Sequence, residues 1–133
     1  MTSGRLKDRT KTFAVRVIHL VESLPRGRSA DVIGNQLLRA GTSVAANYRA
    51  ASRARSRREF IAKMGIVVEE SDEALFWIDL AVDCGLLDVE RESPLRKEAN
   101  EILAMVVSSI RTARGSALAT PHSALRTPHS QCS

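Results

Sequence analysis

Residues 49–58 read RAASRARSRR, so Arg49, Arg53, Arg55, Arg57 and Arg58 place five guanidinium groups in ten positions. The planar fork of arginine can bond two phosphate oxygens at once, and the chemistry this run suggests is the holding of a polyanion. Lys7, Arg9 and Lys11 near the start of the chain, with Lys63 just past the run, extend the set of candidate nucleic-acid-binding residues. Farther on, EESDEALFW gathers Glu69, Glu70, Asp72 and Glu73. Residues 1–63 carry 14 Lys+Arg against 4 Asp+Glu, a net of +10, whereas residues 64–133 carry 6 against 11, a net of −5. Such asymmetry points to a polyanionic partner, a complementary protein surface, or pairing between elements inside the fold.

Other chemistries find little support. No Gly-rich phosphate loop, nucleophile elbow or zinc-ligand spacing is present, so catalysis is not expected. A di-iron centre in a helical bundle needs Glu-x-x-His pairs. No Asp or Glu here has a histidine three positions on, and His19 has only Glu22 nearby, so no metal or cofactor is expected. Cys84 and Cys132 form no disulfide framework, which fits a reducing cytoplasm. The polar, basic start MTSGRLKDRTK is unlike a secretory signal. The longest apolar run falls short of the ~20 residues that span a bilayer. A cytoplasmic protein without membrane partners is the expectation.

The elements that must position the arginines are helices. Leu6, Phe13, Val17, Leu20 and Leu24 recur at helical spacing until Pro25 and Gly27 stop the pattern. A second stripe runs through Ile33, Leu37, Ala40, Val44, Tyr48 and Ala51, with Ser29 placed as its N-cap and Asp31 in its first turn. A third comprises Phe60, Met64, Val67, Ser71, Leu75, Ile78 and Val82, ending at DCGLL, where Gly85 can turn left-handed and Leu86 can fold back. The fourth has Leu95, Ala99, Ile102, Val106 and Ile110, with Ser93 as cap and Pro94 at the first helical position. Short links between amphipathic helices make neighbours antiparallel, so the fold expected over residues 1–114 is an all-α, up-down-up-down four-helix bundle. Gly34, Gly41 and Gly65 inside the helices predict close helix–helix approach.

After Arg114 the periodicity fails. SALATPH at 116–122 is followed by SALRTPH at 123–129, a duplicated seven-residue unit whose prolines exclude a coiled coil. Residues 115–133 are expected to form a disordered tail.

SRRE at 56–59 is a capping box in which the Ser56 hydroxyl accepts from the Glu59 N–H and the Glu59 carboxylate returns to the N–H of Ser56. A helix therefore starts inside the basic run. Arg49 and Arg53 then suit the C-terminus of the second helix, while Arg55, Arg57 and Arg58 oppose the dipole of the third. Local helix energetics explains two arginines and leaves three. The acid block faces residues 39–49 across the second and third helices, with Arg39, Asn47 and Arg49 as candidate partners and an Arg49 pair to Glu70 or Glu73 expected to fix register.

GNQLLRAGTSVAANYRAASRARSRREFIAKMGIVVEESDEALFWIDL closely resembles a bacterial four-helix-bundle family. That family includes proteins encoded by intervening sequences in 23S rRNA genes and the accessory variability proteins of diversity-generating retroelements. The likeness covers residues 10–110 and is carried by Gln36, Arg39, Ala40, Ser43 and Asn47, then by Phe60, Lys63, Glu70, Glu73 and Trp77. Many members have EG after the AN-x of the second helix, where this chain has YRAA. The resemblance implies an antiparallel bundle assembling as a ring, commonly a homopentamer, with a basic surface that in retroelement members engages nucleic acid and a reverse transcriptase.

Two functions follow. In one, a homo-oligomer binds nucleic acid, RNA first, through phosphate contacts at the nine basic residues named. With only 4% aromatic residues, most of them on core stripes, base stacking is not expected. In the other, the chain is a structural or adaptor oligomer whose arginines meet acids of a neighbouring subunit or of a protein partner such as a reverse transcriptase. Asp79, Asp83, Asp88, Glu90 and Glu92 offer such acids within the chain.

Overall fold

The computed structural model describes residues 2–118. Four helices account for nearly all of them: α1 Thr2–Glu22, α2 Arg28–Ser52, α3 Arg57–Asp83 and α4 Val89–Leu118. Among the described residues there is no strand. Each helix runs antiparallel to the one before it. α2 packs on α1 and α3, α4 packs on α3, and α1 touches α4 least. The expected all-α four-helix arrangement is what the chain adopts. α4 continues to Leu118, four residues past Arg114. Of the disordered tail expected over 115–133, the first four residues belong to α4, and the rest, with most of the duplicated unit, lies outside the described residues.

The core is built from the predicted stripes. Phe13 and Val17 of α1, Leu37 and Val44 of α2, Met64 and Ile78 of α3, and Ile102 and Val106 of α4 are all fully buried. Transfer of such side chains out of water, at roughly 1.5–3 kcal/mol each, is the main force holding the layers together. Gly41 lets α1 and α2 approach: a Cβ there would lie 2.7 Å from Val17 Cγ1. Gly34 is less tightly placed, its would-be Cβ lying 3.2 Å from Leu24 Cδ1 and 3.3 Å from Val21 Cγ1. Gly65 differs from expectation, since nothing lies within 4 Å of its would-be Cβ and it faces open space.

The helix ends show which local signals prevailed. The Ser56 hydroxyl accepts from the Glu59 N–H at 3.0 Å, as expected. The Glu59 carboxylate, however, accepts from the N–H of Arg55, also at 3.0 Å, one residue upstream of the expected donor. At the end of α3, Gly85 has φ 80°, its N–H bonds Val82 O at 3.0 Å, and the Leu86 N–H bonds Ala81 O at 2.8 Å. This is the paired bonding of a Schellman stop. Ser29 is not the cap of α2. Gly27 takes that position with φ 155° and ψ 162°, a backbone region essentially reserved for glycine, and leaves Ser29 inside the first turn.

Ser93 and Pro94 do not start α4 either. The helix begins at Val89, and Pro94 is its sixth residue. Tertiary burial accounts for the earlier start, because Leu87 and Glu92 are both drawn inside. Glu92 accepts from Arg96 Nε at 2.8 Å, one turn on, so the buried carboxylate is paired.

Candidate nucleic-acid interface

The α1–α2 hairpin brings two predicted groups of cations into one cleft. Lys7 and Lys11 from α1 face Arg49 of α2 and Arg53, its C-cap, across an opening of about 420 Å³. Helical spacing is responsible. Lys7 and Lys11 are one turn apart, as are Arg49 and Arg53, so both pairs project from the same edges of neighbouring helices. The cleft has a narrow floor of Ala45, Ala46, Thr10 and Tyr48. Thr10 is buried, and its hydroxyl donates to Leu6 O at 2.8 Å.

None of these four cations has a carboxylate partner among the described residues. The same holds for Arg55, Arg57, Arg58 and Lys63, the continuation of the basic surface into the turn and the start of α3. Arg55, Arg57 and Arg58 are exposed and Lys63 is half-buried. Unpaired positive charge gathered at one end of a small domain focuses a field that attracts polyanions.

Arg9 is placed differently. Its guanidinium turns to α4, where Nε and Nη2 donate to the two Glu98 oxygens at 2.9 and 2.7 Å. Nη2 also meets Glu101 at 2.6 Å, and Nη1 contacts Met105 Sδ at 3.2 Å. These bonds raise the Arg9 pKa and lower that of Glu98. Arg9 thus joins α1 to α4 and stands apart from the cleft.

The acid block is also used internally, with a corrected partner. Arg39, not Arg49, takes Glu70 at 3.2 Å and Glu73 in a closer contact. A hairpin turning at residues 53–56 sets Arg39 opposite this part of α3 and Arg49 near its start, so register decides the pairing. Glu73 also accepts from Trp77 Nε1 at 3.1 Å. That bond, then the one from Arg39, holds its carboxyl below the usual range. At the opposite end Arg96 takes both Asp79 and Glu92. Asp83, Asp88 and Glu90 stay exposed with no ion pair among the described residues.

A second, larger cleft was not anticipated. It measures about 670 Å³ and is lined by Tyr48, Phe60, Met105, Ser108, Ser109 and Thr112. The hydroxyl and small residues of α4 recur here at four-residue spacing, a periodic signal on the flank of the buried stripe. Only the assembled fold sets them against Tyr48 and Phe60. Among the described residues no group of three or more His, Cys, Asp or Glu stands together as a metal-ligand set. No described helix is long and apolar enough to cross a membrane.

Residues 5–108 match the family model described as 23S rRNA-intervening sequence protein. The chain is similar to a crystal structure of a protein with unknown function from the S23 ribosomal protein family of Bacteroides thetaiotaomicron VPI-5482. The two share 32% sequence identity with a TM-score of 0.79, over 84% of this chain and 99% of that one. No curated protein matches.

Proposed function

The chain belongs to the 23S rRNA-intervening sequence protein family, and from that premise we propose that it is a non-enzymatic, ring-forming homo-oligomer that binds RNA through its basic end. The observation that carries this reading is the convergence of Lys7, Lys11, Arg49 and Arg53 on one cleft with no carboxylate to neutralise them. Phosphate oxygens supply the missing counter-charge. Their contacts fix position on the strand without reading sequence. Alanines in the cleft floor leave room for a sugar–phosphate backbone between the cationic walls. Arg55, Arg57 and Arg58 extend the track around the turn.

A second reading, a structural or adaptor oligomer that engages a protein such as a reverse transcriptase, draws on the opposite end of the bundle. There the exposed Asp83, Asp88 and Glu90 could meet the arginine turn of a neighbouring subunit. Replacing Arg53, Arg55, Arg57 and Arg58 together by Glu separates the two. RNA affinity by fluorescence anisotropy and mass by light scattering are measured on both proteins. Lost RNA binding with intact assembly supports the first reading. Lost assembly, or no RNA binding by the parent, supports the second.

A further inference from the structure

We propose that the apolar cleft between α4 and the Tyr48–Phe60 wall receives an unpaired nucleobase of the strand whose phosphates lie in the basic cleft. The inference rests on the RNA-binding reading and names the kind of RNA: one with bases free to leave the stack. Its starting point is Tyr48, which lines both clefts. On one side of that residue stand Lys7, Lys11, Arg49 and Arg53. On the other lie Phe60, Met105 and the hydroxyl rim of α4.

A nucleotide has the matching division, with charge on the phosphate and a flat apolar face on the base. A peptide of acidic residues alone would satisfy the cations and leave the apolar side unfilled, and duplex RNA keeps its bases within the helix. The size of the cleft falls in the range of small-molecule sites. Met105 is held at its edge by Arg9 Nη1, so this wall is set before any ligand arrives. Ser108, Ser109 and Thr112 carry hydroxyls that donate or accept. They therefore accommodate the edges of different bases, and weak sequence preference follows. Expectation from composition excluded aromatic contact with bases because the aromatics sit on core stripes. The fold leaves Phe60 half-buried at the cleft as the aromatic face a base can meet, while Tyr48 stays buried in the core beneath it.

The test compares a short fluorescent single-stranded RNA with a ribose-phosphate chain of equal length and charge that lacks bases. The intact chain should bind roughly ten-fold more tightly at the same salt, within the range of one base contact on an aromatic wall. Ser108→Phe, at an exposed rim position, and Ala113→Leu, at a half-buried α4 position that also lines the cleft, should each fill it and erase that difference. Both should retain the affinity for the abasic chain, with helicity checked by circular dichroism. Equal binding of the two chains by the parent, with steep salt dependence, would overturn the base site and leave the phosphate reading standing. A preference for bases that persists in both filled variants would also overturn it. Binding of neither chain would sink the phosphate reading, and this inference with it.

Discussion

Gly41 of α2 rests on Val17 of α1 so closely that a Cβ at position 41 would stand 2.7 and 2.8 Å from its two methyl carbons and 2.9 Å from its Cβ. Val17 is fully buried, and a valine in a helix has one strongly preferred rotamer, so it cannot swing away. Gly41→Ala should destabilise the protein by about 1–3 kcal/mol, the usual cost of overpacking a core. Gly65→Ala should do the reverse. Its would-be Cβ meets nothing, and the gain in helix propensity is up to ~1 kcal/mol. Urea denaturation of both variants checks the pair, and the same sign for both would contradict the packing described.

The Ser56 cap makes α3 depend on one hydroxyl. Ser56→Ala should lower stability by about 1 kcal/mol, because the Glu59 N–H loses its acceptor at the start of the helix. A denaturation midpoint equal to that of the parent would show that the turn is held by other means.

Ser71 is a buried residue of α3 whose hydroxyl has no hydrogen-bond partner among the described residues. Desolvating an unpaired hydroxyl costs about 1–3 kcal/mol, and alanine has the higher helix propensity. Ser71→Ala should therefore raise the melting temperature. A lower one would mean that the hydroxyl holds a bond or fills space that alanine does not.

Acid should loosen the α1–α4 seam. Arg9 holds Glu98 below the usual carboxylate value of 4.5. A carboxyl more acidic in the folded chain than in the unfolded one stabilises the fold above the unfolded value, and the contribution is lost as pH falls through the depressed one. Melting temperature should thus fall as pH drops below 4.5, and Glu98→Gln should flatten part of that fall. Identical pH profiles for parent and variant would show that Glu98 does not contribute to this loss.

The helices were legible in the sequence because their apolar residues repeat at one period and because glycine and serine mark several ends. The Ser56 cap and the left-handed Gly85 depend on residues within a few positions of each other, so they too could be read along the chain, although the Glu59 carboxylate turned to the N–H of Arg55. What could not be read depends on register and burial. Pro94 looks like a helix start, yet burial of Leu87 and Glu92 moved the start five residues upstream. Arg39 and Arg49 are equally basic, and only the hairpin geometry gives the acids to Arg39. The cationic residues were visible as a set, whereas the removal of Arg9 to Glu98 and the gathering of four others into a cleft required the fold. The apolar cleft draws its walls from three helices, and no stretch of sequence announces it.

Salt dependence of RNA affinity reads out whether the basic cleft holds phosphates. A short single-stranded RNA would be titrated by fluorescence anisotropy at several salt concentrations. The parent would be compared with the quadruple variant Lys7→Ala, Lys11→Ala, Arg49→Ala, Arg53→Ala. These side chains lie off the core, so the bundle should persist. Each phosphate contact on a single strand contributes roughly 0.7 to the negative slope of log affinity against log salt. Phosphate holding by the cleft requires a steep slope for the parent and a shallower one for the variant, by about that amount for each contact removed. No binding by the parent, or one slope shared by both proteins, would contradict it.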